Sequence, residues 1–343
     1  MKILSLEPIR REARRVQERM SPVAVILAYH RVCEGLPDPQ RLMIRPDYFA
    51  EQMDVLRRLT SPVPLSELIG KLKTRASGDR PLSAVTFDDG YADNVQIALP
   101  ILRRLGVPAT VFVATSVIDR PREMWWDELE RIFLQPDLPD SLHIRLGDME
   151  CEWSFKEDSP LPGKYWDVYD PPYLIAQKAY LQIAAHLRSC PLREQEVLLA
   201  ELCEWAGIER CPRDEYRTLT GDEIKQLAAD DLISIGSHSI SHSNLANMDE
   251  STQRLEIGAS RSRLTRLTGR SIQTFSYPYG RAEDYTSQTR QVLRHTGFEY
   301  ACTTVPRLVN RWTSPLQLPR FTVGNWPGRV FKEKLMEFIS VSV

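Results

Sequence analysis

Apolar and polar positions along this chain fall into two alternating periods. Val23 to Ala28 is an unbroken apolar run closed by Tyr29 and His30. Such a run predicts a strand buried on both faces of a parallel sheet. Further strands are expected at Ala84 to Phe87, Ala109 to Ala114, Leu232 to His238, Thr274 to Tyr277 and Tyr300 to Thr304, with a further extended segment at Leu318 to Val323. Arg41 to Ile44 is short and extended. Between the runs the apolar spacing turns helical. Asp47 to Leu59 shows helical spacing, with Phe49, Met53, Val55 and Leu56, and Asp47 as its expected cap. Leu65 to Leu72, Ala92 to Leu105, Asp249 to Thr268, Thr286 to His295 and Val330 to Ile339 follow suit, and Thr220 with Glu223 has capping-box spacing ahead of a helix to Ala229. Strands alternating with helices predict an α/β fold with a parallel sheet or barrel.

The alternation is interrupted from about Asp119 to Arg217. A helix opens on Trp125 and Trp126, a hairpin fits His143 to Leu146 against Cys151 to Phe155, and two amphipathic helices fit Ala176 to Leu187 and Arg193 to Ala206. A connection of that length is long. We read it as an insertion of about 119–217, mainly helical, within a domain covering 21–340, placed to shape access to the active face.

Composition narrows the class. The chain has 343 residues, 26% of them charged, and a net charge of -2, so no basic excess argues for nucleic acid. Six scattered cysteines form no CxxC pair, which suits reduced thiols in the cytoplasm. Residues 1–20 form a basic leader with Arg10, Arg11, Arg14, Arg15 and Arg19; the first apolar run is too short for a signal segment. A leader of this kind is usually solvated, and it also suits peripheral contact with anionic lipid. No stretch has the ~18 apolar residues of a membrane span.

Candidate chemistry collects at the ends of the predicted strands: His30, Asp88 with Asp89 ahead of Gly90, His238 with His242, and Tyr279 in Pro278-Tyr279-Gly280. In a parallel barrel these tips converge on one face. Two adjacent carboxylates repel unless a cation or proton lies between them. His238 and His242, four residues apart, are close enough to ligate one ion, and Asp89 completes a three-ligand site with an open position. Zinc is the default for that donor set; cobalt, nickel or iron would fit. Asp88 is then free to take a proton from water, the Tyr279 turn to aim an N–H at a developing oxyanion, and a histidine at another tip to protonate a leaving amine. Trp125 and Trp126 suit packing at a helix start and also suit a sugar groove. His143, His186 and His295 read as structural or exposed.

The stretches Thr86-Phe87-Asp88-Asp89-Gly90-Tyr91, His238-Ser239-Ile240-Ser241-His242 and Phe275-Ser276-Tyr277-Pro278-Tyr279-Gly280 resemble the signature motifs of the polysaccharide deacetylase family (NodB homology, carbohydrate esterase family 4). The resemblance spans about residues 23–323. It implies a distorted, incomplete (β/α) TIM-like barrel and a hydrolase acting on N-acetylated sugars. It also implies Asp88 as base, Asp89, His238 and His242 as metal ligands, and Tyr279 as oxyanion donor and groove wall. Two departures stand out. Many members hold the base with an arginine where this chain has Ser276, which leaves Arg320 or Arg31 to take its place. Many also use a late histidine as general acid, and this chain has none after His295. Leu27-Ala28-Tyr29-His30-Arg31-Val32 is similar to the early motif of the exopolysaccharide (poly-N-acetylglucosamine) deacetylase branch, which implies His30 as that acid. The expected substrate is an N-acetylated polysaccharide, oligosaccharide or lipid- or nucleotide-linked precursor. Two alternatives keep the fold: hydrolysis of a non-sugar amide or cyclic ureide, and glycan binding without catalysis.

Overall fold

The computed structural model describes residues 23–340 apart from 77, 121, 157 and 159–165. The leader 1–20 and its expected lipid contact lie outside the described residues. Twelve strands follow in chain order: β1 Ala24–Tyr29, β2 Arg31–Val32, β3 Met43–Ile44, β4 Ser61–Pro62, β5 Leu82–Phe87, β6 Ala109–Val113, β7 Ser141–Leu146, β8 Met149–Ser154, β9 Ile233–Ser237, β10 Thr274–Ser276, β11 Tyr300–Cys302 and β12 Phe321–Thr322. Every residue of β1, β5 and β6 is buried. That is why these strands read as continuous apolar runs instead of alternating ones.

The main sheet runs β11-β10-β9-β6-β5-β1-β12, with β4 beside β5, and every pairing is parallel. It curls toward closure. Phe321 pairs with Leu27 at one edge, and Leu318, just ahead of β12, bridges Cys302 at the other. Residues 318–322 therefore span the two edges and close an incomplete, distorted barrel. Register places the tips side by side. Tyr29 pairs with Phe87, so His30 and Asp88 leave the sheet together. Ser237 pairs with Phe275, so His238 emerges beside Ser276.

Helices cover the outer face. The capping box Thr220–Glu223 forms, and Asp249 caps Glu250–Thr268, which ends at Gly269 in the left-handed region. Two expectations are corrected. Asp47 is no cap: the helix begins at Pro46, whose missing N–H suits a first turn, and Asp47 pairs with Arg45. The stretch Ala92 to Leu105 opens with a π-turn over Asn94–Ala98 before the α-helix Leu99–Leu105. Pro100 lacks the N–H an α-helix would use there, and the wider turn accommodates it.

The interrupting stretch builds the helix Trp125–Phe133, the hairpin β7–β8, and the helices Ile175–Ser189 and Leu192–Trp205. Its hydrophobic cluster is distinct from the barrel core and includes Leu129, Phe133, Ile144, Tyr180, Ile183 and Leu202. In β7 exposure alternates, with Leu142, Ile144 and Leu146 turned inward, the mark of a sheet with one dry face. No helix among the described residues is long and apolar enough to cross a membrane.

Candidate active site

Asp88 and Asp89 sit at the end of β5, buried to 3% and 2% exposure. Their surroundings differ sharply. Arg320 grips Asp88 through two hydrogen bonds, Nη1 to Oδ1 at 2.8 Å and Nη2 to Oδ2 at 2.6 Å. Ser276 Oγ donates to Asp88 Oδ2 at 3.2 Å and accepts from Arg320 Nη2 at 2.9 Å. Arg320 is itself held by the Thr303 carbonyl and Thr86 Oγ1. Burial alone would push the Asp88 carboxyl up, but the Arg320 charge, then His238, bring it below its usual range. Arg320 thus stands where the sequence left an opening at Ser276. Arg31 does not reach Asp88. It pairs with Asp93 at 3.1 Å, donates to the Glu215 carbonyl and lies against the rings of Tyr91 and Tyr216.

Asp89 faces the other way. Its Oδ1 lies 3.5 Å from His238 Nε2 and 3.3 Å from His242 Nε2, yet no hydrogen bond is formed to that oxygen. Burial would raise this carboxyl, and the two imidazoles beside it more than reverse the effect. One donor atom from each of the three residues lies within 4.8 Å of the others, all three buried. His238 Nδ1 lies 2.8 Å from the Ser276 carbonyl, which fixes the ring and leaves Nε2 for a ligand. An orphaned buried carboxylate oxygen flanked by two imidazole nitrogens is a donor set that fits a divalent cation.

Backbone strain gathers here. Among the described non-glycine residues with positive φ are Asp89 at 72°, Ser239 at 63°, His242 at 56° and Tyr279 at 61°, each costing about 1–3 kcal/mol. Glu256 supports the histidine loop, accepting from the Ile240 and Ser241 N–H groups and the Ser241 hydroxyl at 2.9 Å each. Gly280 is required after Tyr279: its φ is 75°, and a Cβ there would lie 2.9 Å from the Thr304 nitrogen. The Tyr279 N–H has no acceptor among the described residues. Its ring meets the His242 ring edge-on at 4.8 Å.

The site floors a cleft of about 1180 Å³ that His30, Tyr279 and Trp125 also line. The interrupting segment forms one wall, through Tyr169, Leu181, Ala184 and Arg188. Trp126 touches the cleft but is 5% exposed. Its Nε1 donates to the Tyr91 hydroxyl at 2.8 Å, and its ring packs edge-on against His242 at 4.9 Å. It buttresses the histidine ring from the cleft wall. Trp125 is half-buried with its Nε1 unpartnered. The support from Glu256 carried no sequence signal, because it depends on how the helix Glu250–Thr268 packs against the histidine loop.

The polysaccharide deacetylase family model matches residues 75–136 and 206–301. Those stretches hold Asp88, Asp89, His238, His242 and Tyr279; the break between them lies inside the interrupting segment. Solved structures share the fold. Streptococcus pyogenes deacetylase PplD, in complex with acetate, superposes with a TM-score of 0.58 at 15% identity, over 93% of this chain and 99% of that one. IcaB from Ammonifex degensii gives 0.53 at 18% identity over 94% and 97%, and the BpsB deacetylase domain from Bordetella bronchiseptica 0.50 at 18% over 88% and 96%. At such identities the likeness is one of fold. No curated protein matches the chain in sequence. The matched stretches carry the motif residues, and the barrel brings them to one cleft, so over residues 75–136 and 206–301 the chain is similar to the polysaccharide deacetylase family.

Proposed function

We propose that this protein is a metal-dependent deacetylase that hydrolyses the acetamido group of N-acetylated sugars, in a glycan or its lipid- or nucleotide-linked precursor. The observation that carries the reading is the unequal pair of neighbouring carboxylates, one clamped by Arg320 and one facing two imidazoles. Asp89, His238 and His242 would hold a divalent cation, zinc by preference, with cobalt, nickel and iron compatible with the same donors. When bound, that cation supplies a Lewis acid for the amide carbonyl and the attacking water. The chain's own groups do the rest. Asp88, ionised and aimed by Arg320, accepts the proton of the water. The Tyr279 N–H meets the charge that develops on the amide oxygen. His30, on the neighbouring tip, delivers a proton to the leaving amine. Trp125 and the Tyr279 ring flank the sugar, and the segment 119–217 limits what enters.

All six cysteines are unpaired and four are buried, which suits a reducing compartment and so a precursor in the cytoplasm. The arginines of the leader would let it meet anionic lipid there.

The test is acetate release from N-acetylglucosamine oligomers beside a panel of small amides and cyclic ureides, with zinc and with chelator. Release confined to the sugars and abolished by chelator supports the reading. Hydrolysis of the small amides alone would move the substrate outside the sugars, and turnover untouched by chelator would remove the metal from the account.

A further inference from the structure

The helix Ile175–Ser189 of the interrupting segment ends beside the site. Its Arg188 guanidinium lies 4.0 Å from the centroid of the Tyr279 ring, and Arg188 Nη2 donates to Asp284 Oδ1 at 2.6 Å. Asp284 is 1% exposed. Its Oδ1 also accepts from Asn244 Nδ2 at 2.8 Å, its Oδ2 from the Arg281 N–H at 2.9 Å, and its carbonyl from the Ala246 N–H at 3.1 Å. Asn244 lies two residues beyond His242, and Arg281 two beyond Tyr279. One buried side chain therefore ties together the histidine loop, the Tyr279 turn and the interrupting segment.

These attachments fall where they matter. His242 and Tyr279 both hold left-handed backbone that the surroundings must enforce. Glu256 secures the histidine loop ahead of His242, at Ile240 and Ser241, and Asp284 secures it behind. Removing a buried carboxylate with this many partners leaves their donors without acceptors and frees both strained turns.

We infer that Asp284 is a positioning residue for the His242 loop and the Tyr279 turn, and that Arg188 couples the interrupting segment to the Tyr279 turn. The segment is then part of the catalytic apparatus as well as a wall of the cleft. The activity arm of this inference rests on the deacetylase reading; the metal arm does not.

The experiment uses the full chain with Asp284→Ala, Asp284→Asn and Arg188→Ala. Each variant is checked by thermal unfolding, titrated with zinc against a chromophoric chelator, and assayed for kcat and KM of acetate release. Asp284→Ala is expected to weaken zinc binding about 10–100-fold, the usual effect of losing a group that orients a ligand. Arg188→Ala is expected to leave zinc affinity within about twofold and to lower kcat about tenfold with little change in KM, as for an interaction made only in the transition state. A folded Asp284→Ala protein with wild-type zinc affinity and kcat overturns the inference, since a merely structural carboxylate would lower the melting temperature alone. Should Asp284→Ala not fold, Asp284→Asn carries the same test: it keeps an acceptor for Arg188 and loses the one for the Arg281 N–H. If wild type binds zinc but releases no acetate, the deacetylase reading fails, and zinc affinity still decides the role of Asp284.

Discussion

Asp88 and Asp89 are the same residue type, one peptide apart, at the tip of one strand, and the protein treats them as opposites. On the Asp88 side both carboxylate oxygens are bonded, by Arg320 twice and by Ser276. On the Asp89 side Oδ1 has no hydrogen bond and looks onto two imidazole nitrogens. Asp89 itself holds left-handed backbone, with φ at 72°. The contrast teaches that role here is set by what surrounds a group and not by the group itself. A clamped, buried carboxylate stays ionised, which fits the proposed role of Asp88 as the proton acceptor. An acceptor left bare at comparable depth is costly unless a cation completes it.

The largest break in this contrast is Arg320→Ala. It leaves Asp88 buried without its counter-ion, so we expect a loss of about 3–5 kcal/mol, the usual cost of removing one member of a buried pair. Chemical denaturation reads it, and an unchanged midpoint would show that Ser276 and water suffice. His30→Ala comes next. It should slow acetate release by ~10²–10⁴, the usual share of a general acid, and leave zinc content intact; loss of zinc would place His30 on the Asp89 side instead. Ser276→Ala is the mildest. It removes one hydrogen bond to Asp88 while Arg320 keeps its double grip, so about 1 kcal/mol of stability is expected to go, with turnover down less than tenfold. A larger loss of turnover than in Arg320→Ala would make Ser276 the true partner of the base.

Much of this was legible in the sequence, for physical reasons. Strands buried on both faces are mostly apolar, so β1, β5 and β6 and their tips could be read directly, and a parallel fold gathers its tips on one face. The hairpin and both amphipathic helices of the interrupting segment follow from their periods. The partner of Asp88 stayed open between Arg320 and Arg31 because the two strand tips look alike in sequence. Only the bridging of the barrel edges by residues 318–322 puts Arg320 inside, while Asp93 draws Arg31 away. Trp126 suited both packing and a sugar groove in the sequence, and what the spacing could not show is its Tyr91 partner, which comes from a different stretch of chain. Arg188 and Asp284 gave no signal at all. Nothing in the spacing of a surface arginine on an amphipathic helix shows that it will end on the ring of Tyr279.

The division of labour at the strand tip is tested most directly by measuring zinc stoichiometry and acetate release side by side in Asp88→Asn and Asp89→Asn. Asp88→Asn is expected to bind one zinc still while its turnover falls by ~10²–10⁴, and Asp89→Asn to lose the zinc. Zinc lost from Asp88→Asn, or retained at wild-type affinity by Asp89→Asn, would contradict that division.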